Sequence, residues 1–254
     1  MRTGTSAMDY LINDFAIRSF RETGDYDYIA ARAAYRLRLP TQFLWLSHQA
    51  IEKYFKCILL LNRIPAKHVK HDLLKSLELI EKNLSFKVSL NETSRKFIKY
   101  LNSQAQCRYL DIPFYIMGIE IAQLDMTVWH IRRYCKNIDY EIRLPDDRVI
   151  KMLEHELSAI EESEKRPYHL FKVIGGVLEN IINDKNHPAR RSLVWHNLFF
   201  GKRKRNKVTP NTLSYAANSP LYLHPEILDE VLKYVYLPKP VAEEYRKISN
   251  KQKA

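Results

Sequence analysis

A chain of 254 residues, 46% of them hydrophobic, has enough apolar content to bury one large core or two small ones, which excludes a disordered tail. Forty-one Lys and Arg against 29 Asp and Glu leave a net charge of +12, a bias that favours anionic partners such as nucleic acid or nucleotides. Cys57, Cys107 and Cys135 stand apart without CxxC spacing, which argues against a disulfide framework, and no apolar run reaches the roughly 20 residues of a membrane span. No secretory leader is expected, and the chain is expected to be cytoplasmic with no membrane association.

Only 6 Gly and a succession of long periodic segments predict an all-α protein with few strands. Leu11, Ile12, Phe15, Ala16 and Phe20 mark a first helix from Met8 to Phe20, with Gly24 as its stop. A second runs from Asp25 to Arg38, with Ile29, Ala30, Ala33, Ala34 and Leu37 inward and Asp25 and Asp27 near its positive end. Pro40 breaks the chain ahead of a central helix, Phe43 to Asn62, that is apolar over most of its circumference. Its polar stripe is narrow: Ser47, Gln49, Glu52, Lys53 and Lys56, with Glu52 and Lys56 at i,i+4 in the favourable order. After a loop containing Pro65, Asp72 is placed to cap a helix carrying Leu73, Leu74, Leu77, Ile80 and Leu84, which puts His71 at a helix entrance. Further helices are predicted over Asn91 to Ala105 and Phe114 to Cys135, separated by an irregular stretch from Arg108 to Pro113.

Arg143 to Asp147, with Pro145, reads as a boundary, giving a division into residues 1–140 and 141–254. Beyond it an amphipathic helix is expected from Val149, then a helix from Tyr168 to Asn183 interrupted by Gly175-Gly176, where a bend is expected. The stretch His187 to Gly201 sets aromatics beside cations and continues as Lys202, Arg203, Lys204, Arg205, Asn206 and Lys207. Thr209 to Pro220 reads as a surface loop, Glu226 to Tyr236 as a short helix and Lys239 to Ala254 as a frayed end.

The order Gln49-Ala-x-Glu-Lys-x-x-Lys56, a short loop and Lys70-His71-Asp72-Leu73-Leu74, followed later by Arg108-Tyr109-Leu110-Asp111, resembles the HEPN domain (higher eukaryotes and prokaryotes nucleotide-binding) between about Asp25 and Lys136. The resemblance implies an antiparallel helical bundle, here with a mostly helical C-terminal extension. It also implies frequent dimerisation and an association with RNA or nucleotides. Glu52, Lys53, His71 and Arg108 would then border a polar groove.

Many HEPN proteins are metal-independent ribonucleases whose signature is an Arg followed by a His with four to six residues between them. The His moves the proton of a ribose hydroxyl, and the guanidinium holds the phosphate. Arg63/His68, Arg148/His155 and Arg191/His196 have that spacing, although roughly two such pairs are expected by chance. The first flanks a loop inside the bundle. The second pair, seven positions apart, would share one face of the helix expected there. The third lies next to Arg190, Trp195 and Asn197 but outside the resembling stretch, and on a continuous helix its side chains would diverge by about 140°.

Lys202, Arg203, Lys204, Arg205 and Lys207, beside Trp195, Phe199 and Phe200, suit phosphate contact and base stacking better than catalysis. HExxH, Walker and GxGxxG patterns are missing from the sequence, so no metal or cofactor is expected. Three readings stay open. One is a non-catalytic module that binds RNA or nucleotide, as a homodimer. Another is a metal-independent endoribonuclease of a toxin–antitoxin or phage-defence system, with an antitoxin or nucleotidyltransferase partner. The last is a helical scaffold with no nucleic-acid role.

Overall fold

The computed structural model describes residues 7–104, 113–165, 174–201 and 215–253, and the architecture is all-α with a few three-residue strands. Helix α1 (Ala7–Ala16), a π-helical turn (Ile17–Glu22) and α2 (Thr23–Arg36) follow one another without a break, because Ala16 and Thr23 keep right-handed helical angles. Gly24 is therefore not a stop. It is the point where α2 meets the next helix: a Cβ there would lie 3.2 Å from the Tyr54 ring and 3.3 Å from Lys53 Cβ. Arg38, at φ 59°, turns the chain, and Pro40 occupies the first position of α3 (Pro40–Leu61), where its missing N–H costs nothing.

Helix α3 is the axis of the fold and contacts α1, the π turn, α2, α4 (Leu73–Asn83), α5 (Glu92–Gln104) and α6 (Glu120–Arg132). Phe43, Leu44, Ala50, Ile51, Tyr54, Phe55, Ile58 and Leu59 are buried on it, each Phe, Leu or Ile side chain contributing about 1.5–3 kcal/mol relative to exposure. The expected solvated stripe is only partly solvated, since Ser47 and Glu52 are buried too. Asn62 and Arg63 (φ 57°) close α3. Asp72 caps α4 as expected, its carboxylate accepting from Leu74 N and Lys75 N, both at 3.0 Å.

Between α5 and α6 lies β1 (Phe114–Ile116), so α6 starts later than Phe114. The expected boundary near Pro145 is a hairpin, β2 (Glu141–Arg143) paired antiparallel with β3 (Val149–Lys151), and α7 (Leu153–Lys165) begins only after it. Gly175 and Gly176 do not bend a helix: at φ 79° and 110° they precede α8 (Val177–Asn183). Then come α9 (Arg190–Val194) and β4 (Tyr215–Ala217), which pairs with β1. The C-terminal segment holds α10 (Pro220–Leu223), a 3-10 turn (Pro225–Ile227), α11 (Leu228–Val231) and α12 (Lys239–Lys253). The last is not frayed along its length: Val241, Ala242 and Tyr245 pack on Leu221, Leu228 and Leu237 in a separate small core.

Buried side chains on both sides of residue 140 share the main core, from Ala16 to Phe200. It also contains ion pairs. Asp25, expected near the positive end of its helix, is fully buried and accepts from Arg132 Nε at 2.7 Å and Nη2 at 2.8 Å, while Glu179 binds the same guanidinium at 2.8 and 2.9 Å. Leu37, expected inward, is exposed. No helix among the described residues is long and apolar enough to cross a membrane.

Candidate functional site

Two polar regions emerge from this fold. The first is built on the segment after α8. Asn197 shapes it: its Nδ2 donates to Tyr28 Oη at 2.8 Å and Leu193 O at 2.9 Å, and its Oδ1 accepts from Phe199 N and Phe200 N at 3.0 Å. That turn sends both phenylalanines inward onto Trp129, with ring centroids 5.9 and 5.8 Å away. Phe199 and Phe200, expected as stacking platforms, are core residues instead.

Helix α2 holds the other side. Arg32 is fully buried, pairs with Asp125, and donates from Nε to Ser192 O at 2.9 Å and from Nη2 to Trp195 O, which pins the end of α9. One turn later Arg36 reaches the surface, donates to Ser192 Oγ at 3.1 Å and lies 5.6 Å over the Trp195 ring, within range of a cation–π contact. Partial burial, then the like charges of Arg191 and Arg32, push the Arg36 pKa below its ordinary value. No acid makes an ion pair with Arg36 or Arg191 among the described residues. The result is a surface of two uncompensated guanidiniums around a half-buried indole.

Arg191 and His196 are both exposed on this segment. They do not share a helix, because α9 ends at Val194, Trp195 is extended and His196 is left-handed at φ 48°. The Trp195 and His196 rings lie 4.6 Å apart, edge to face. Arg148 and His155, expected on one helix face, fall on different elements: Arg148 sits in the hairpin turn, paired with Asp146 at 2.6 Å, and His155 is on α7. Arg63 is occupied by Asp9 and Asn13 of α1, each at 2.9 Å, while His68 is exposed. Lys202, Arg203, Lys204, Arg205, Lys207 and Arg108 lie outside the described residues.

The second region is a polar cluster on α3. Glu52 is only 4% exposed, and His71 Nδ1 lies 3.1 Å from both of its oxygens. Lys56 Nζ adds a contact at 2.5 Å and Gln49 Nε2 one at 3.4 Å. Burial alone would raise the Glu52 pKa, but the hydrogen bonds and charges of Lys56 and His71 outweigh it and hold it below the ordinary 4.5. The carboxylate thus fixes the His71 ring through one nitrogen and leaves the rest of a largely exposed side chain to solvent. Lys53, expected to border a groove with them, does not join this cluster; its ammonium pairs with Asp27 at 2.6 Å.

Sequence reasoning reached Glu52, His71 and Arg191 but not Arg32 or Arg36. Those two look like ordinary polar positions of an amphipathic helix, and their partners on α9 lie more than 150 positions away in the chain. Among the described residues no cluster of three or more His, Cys, Asp or Glu is arranged to hold a metal ion. Comparisons with protein-family models, with curated proteins and with solved structures return no match to this chain.

Proposed function

We propose that this chain is a HEPN-like helical protein that binds single-stranded RNA or a nucleotide through the face formed by α2 and the α9–Trp195 segment. The observation that carries the reading is Arg36, laid on Trp195 and facing Arg191 without an acid to neutralise either. Two guanidiniums beside an aromatic ring supply phosphate contact and a stacking surface together, the combination that sequence-tolerant single-strand binding requires. In the sequence, the basic run from Lys202 to Lys207 begins six residues after His196 and extends the same chemistry.

The test is a titration of a labelled oligouridylate at several salt concentrations, using the wild type, Arg36→Gln/Arg191→Gln and Trp195→Ala. Affinity should fall with salt, the double variant should flatten that slope by about two phosphate contacts, and the Trp variant should lose affinity with an unchanged slope. Identical curves for all three proteins would refute the reading.

A ribonuclease reading draws on one observation: His196 sits at the end of α9 in a left-handed conformation beside Trp195, on the same exposed segment as Arg191. Strained non-glycine residues at ligand-facing positions are a recurring feature of functional sites. Cleavage of RNA in EDTA, abolished by His196→Ala, is the result that reading requires. The homodimer is assigned to the outer face of α1, where Met8, Leu11 and Phe15 recur at helical spacing and are 63, 66 and 55% exposed. Light scattering should then show a dimer that Leu11→Asp/Phe15→Asp converts to monomer.

A further inference from the structure

Strands β2 and β3 form a ribbon that stands apart from the rest of the chain. All of their residues are exposed, and the ribbon makes no extensive contact with any other element among the described residues. Ile142, Val149 and Ile150 are 39, 45 and 44% exposed. Neither strand has a second neighbour among the described residues. An isolated two-stranded ribbon is marginally stable in water, and each outer edge is a template for a further strand.

The hydrogen bonds across the ribbon decide what β2 offers on its free side. Leu144 N donates to Arg148 O at 2.8 Å and Met152 N to Tyr140 O at 2.9 Å. Main-chain groups alternate in direction along an antiparallel strand, so Tyr140, Ile142 and Leu144 point theirs at β3, while Glu141 and Arg143 point theirs away. Those outward groups have no main-chain partner among the described residues, and neither the Glu141 nor the Arg143 side chain makes an ion pair there. Strand β2 therefore presents a free edge with an acid and a base two positions apart, and an isoleucine between them on the opposite face.

We propose that the β2 edge is a self-pairing surface whose partner is β2 of a second copy of this chain, in antiparallel register about a twofold axis at Ile142. In that register Glu141 of each copy lies opposite Arg143 of the other. These are the hydrogen-bonded pairs, each exchanging two main-chain bonds, and opposite charges placed directly across from one another favour the pairing. Ile142 meets its own copy at the central position, where side chains approach most closely, with Ile150 beside it on the same face. Shifted registers fail. An axis at Glu141 sets that acid opposite itself; an axis at Arg143 sets two guanidiniums together and brings Pro145, which lacks an N–H, opposite Glu141. Charges on an edge strand ordinarily keep it unpaired, whereas the order Glu-Ile-Arg repels the shifted registers and leaves this one. A contact centred on a three-residue strand is far smaller than the about 20–30 residues a side of a stable interface, so it joins copies at higher concentration than the α1 face does.

The experiment is disulfide trapping in the full chain with diamide, the oxidant that takes up the two electrons and two protons released when two thiols join. Ile142→Cys places two Cα atoms about 4.5 Å apart across the axis, within the range that a disulfide spans. Val149→Cys, comparably exposed on the other strand, is the control. A denaturing gel reads the covalent link alone, so the outcome does not depend on whether α1 pairs. Ile142→Cys should form covalent dimer about tenfold faster than Val149→Cys or the wild type. Adding Arg143→Glu sets acids opposite each other at both hydrogen-bonded pairs and should slow trapping about tenfold; adding Glu141→Arg as well returns opposite charges to each pair and should restore the rate. All four positions are exposed, so each variant should melt at the wild-type midpoint. Trapping of Ile142→Cys that is no faster than that of Val149→Cys, that Arg143→Glu leaves unmoved, or that the double exchange does not restore, overturns the proposal.

Discussion

At Arg132 a single guanidinium pairs with two carboxylates inside the core, and all three side chains are essentially buried. Breaking such a set is worse than never building it, because the partners stay behind as buried charges. Arg132→Met should therefore lower unfolding free energy by about 3–5 kcal/mol in urea, and adding Asp25→Asn and Glu179→Gln should recover part of that loss. A loss under about 1 kcal/mol would mean that the acids reach water or other partners.

His130 supplies a pH test. Burial, then the neighbouring Arg133, push its pKa down from 6.5 to about 4, with Glu164 opposing. The unfolded chain therefore takes up a proton before the folded one does. Stability present above pH 6.5 is lost as pH falls towards about 4, the range set by the two values. His130→Phe should flatten the melting temperature against pH across that interval, whereas an unchanged slope would assign the pH dependence to other groups. At this scale the sequence disclosed the contacts made by neighbours in a motif, such as Glu52 with His71 and Asp72 with the α4 backbone. It did not disclose Asp25 with Arg132, since a charged residue on an amphipathic helix looks solvated until a partner 107 positions away is brought against it.

Among the described elements, α2 and α3 make the most extensive contact, and Gly24 lets them approach. Gly24→Val should cost about 1–3 kcal/mol through overpacking against Tyr54 and Lys53, despite its gain in helix propensity. Asp72→Ala should cost about 1 kcal/mol by leaving two backbone donors of α4 uncapped. Urea midpoints check both. Helix α3 was legible almost to its ends, because an apolar pattern that long admits few alternatives. The strands were not legible: three residues carry no usable period, and β1 finds its partner β4 about a hundred residues later. Gly24 misled for a related reason, since a glycine that ends a helix and one that admits a neighbour look alike in one dimension.

For the molecule as a whole, a net charge of +12 coexists with a core in which Arg32 and Arg132 are paired with acids, while Arg36 and Arg191 towards the surface make no ion pair among the described residues. The face between α2 and α9 is where that excess meets an aromatic ring, and it draws its residues from the two ends of the main core. The sequence singled out the segment His187 to Gly201 but did not tell its rings apart, because alternation of cations and aromatics does not reveal which rings are core. Asn197 decides that by turning Phe199 and Phe200 inward and leaving Trp195 beside Arg36.

The most direct measurement is zero-length ultraviolet cross-linking of a uridine-rich oligoribonucleotide to the protein, with the attachment sites read by mass spectrometry. Cross-links concentrated on the peptide that contains Trp195 and His196, and lost at high salt, are the predicted outcome. Attachment elsewhere, or none at concentrations where the titration reports binding, would contradict the assignment of the α2–α9 face.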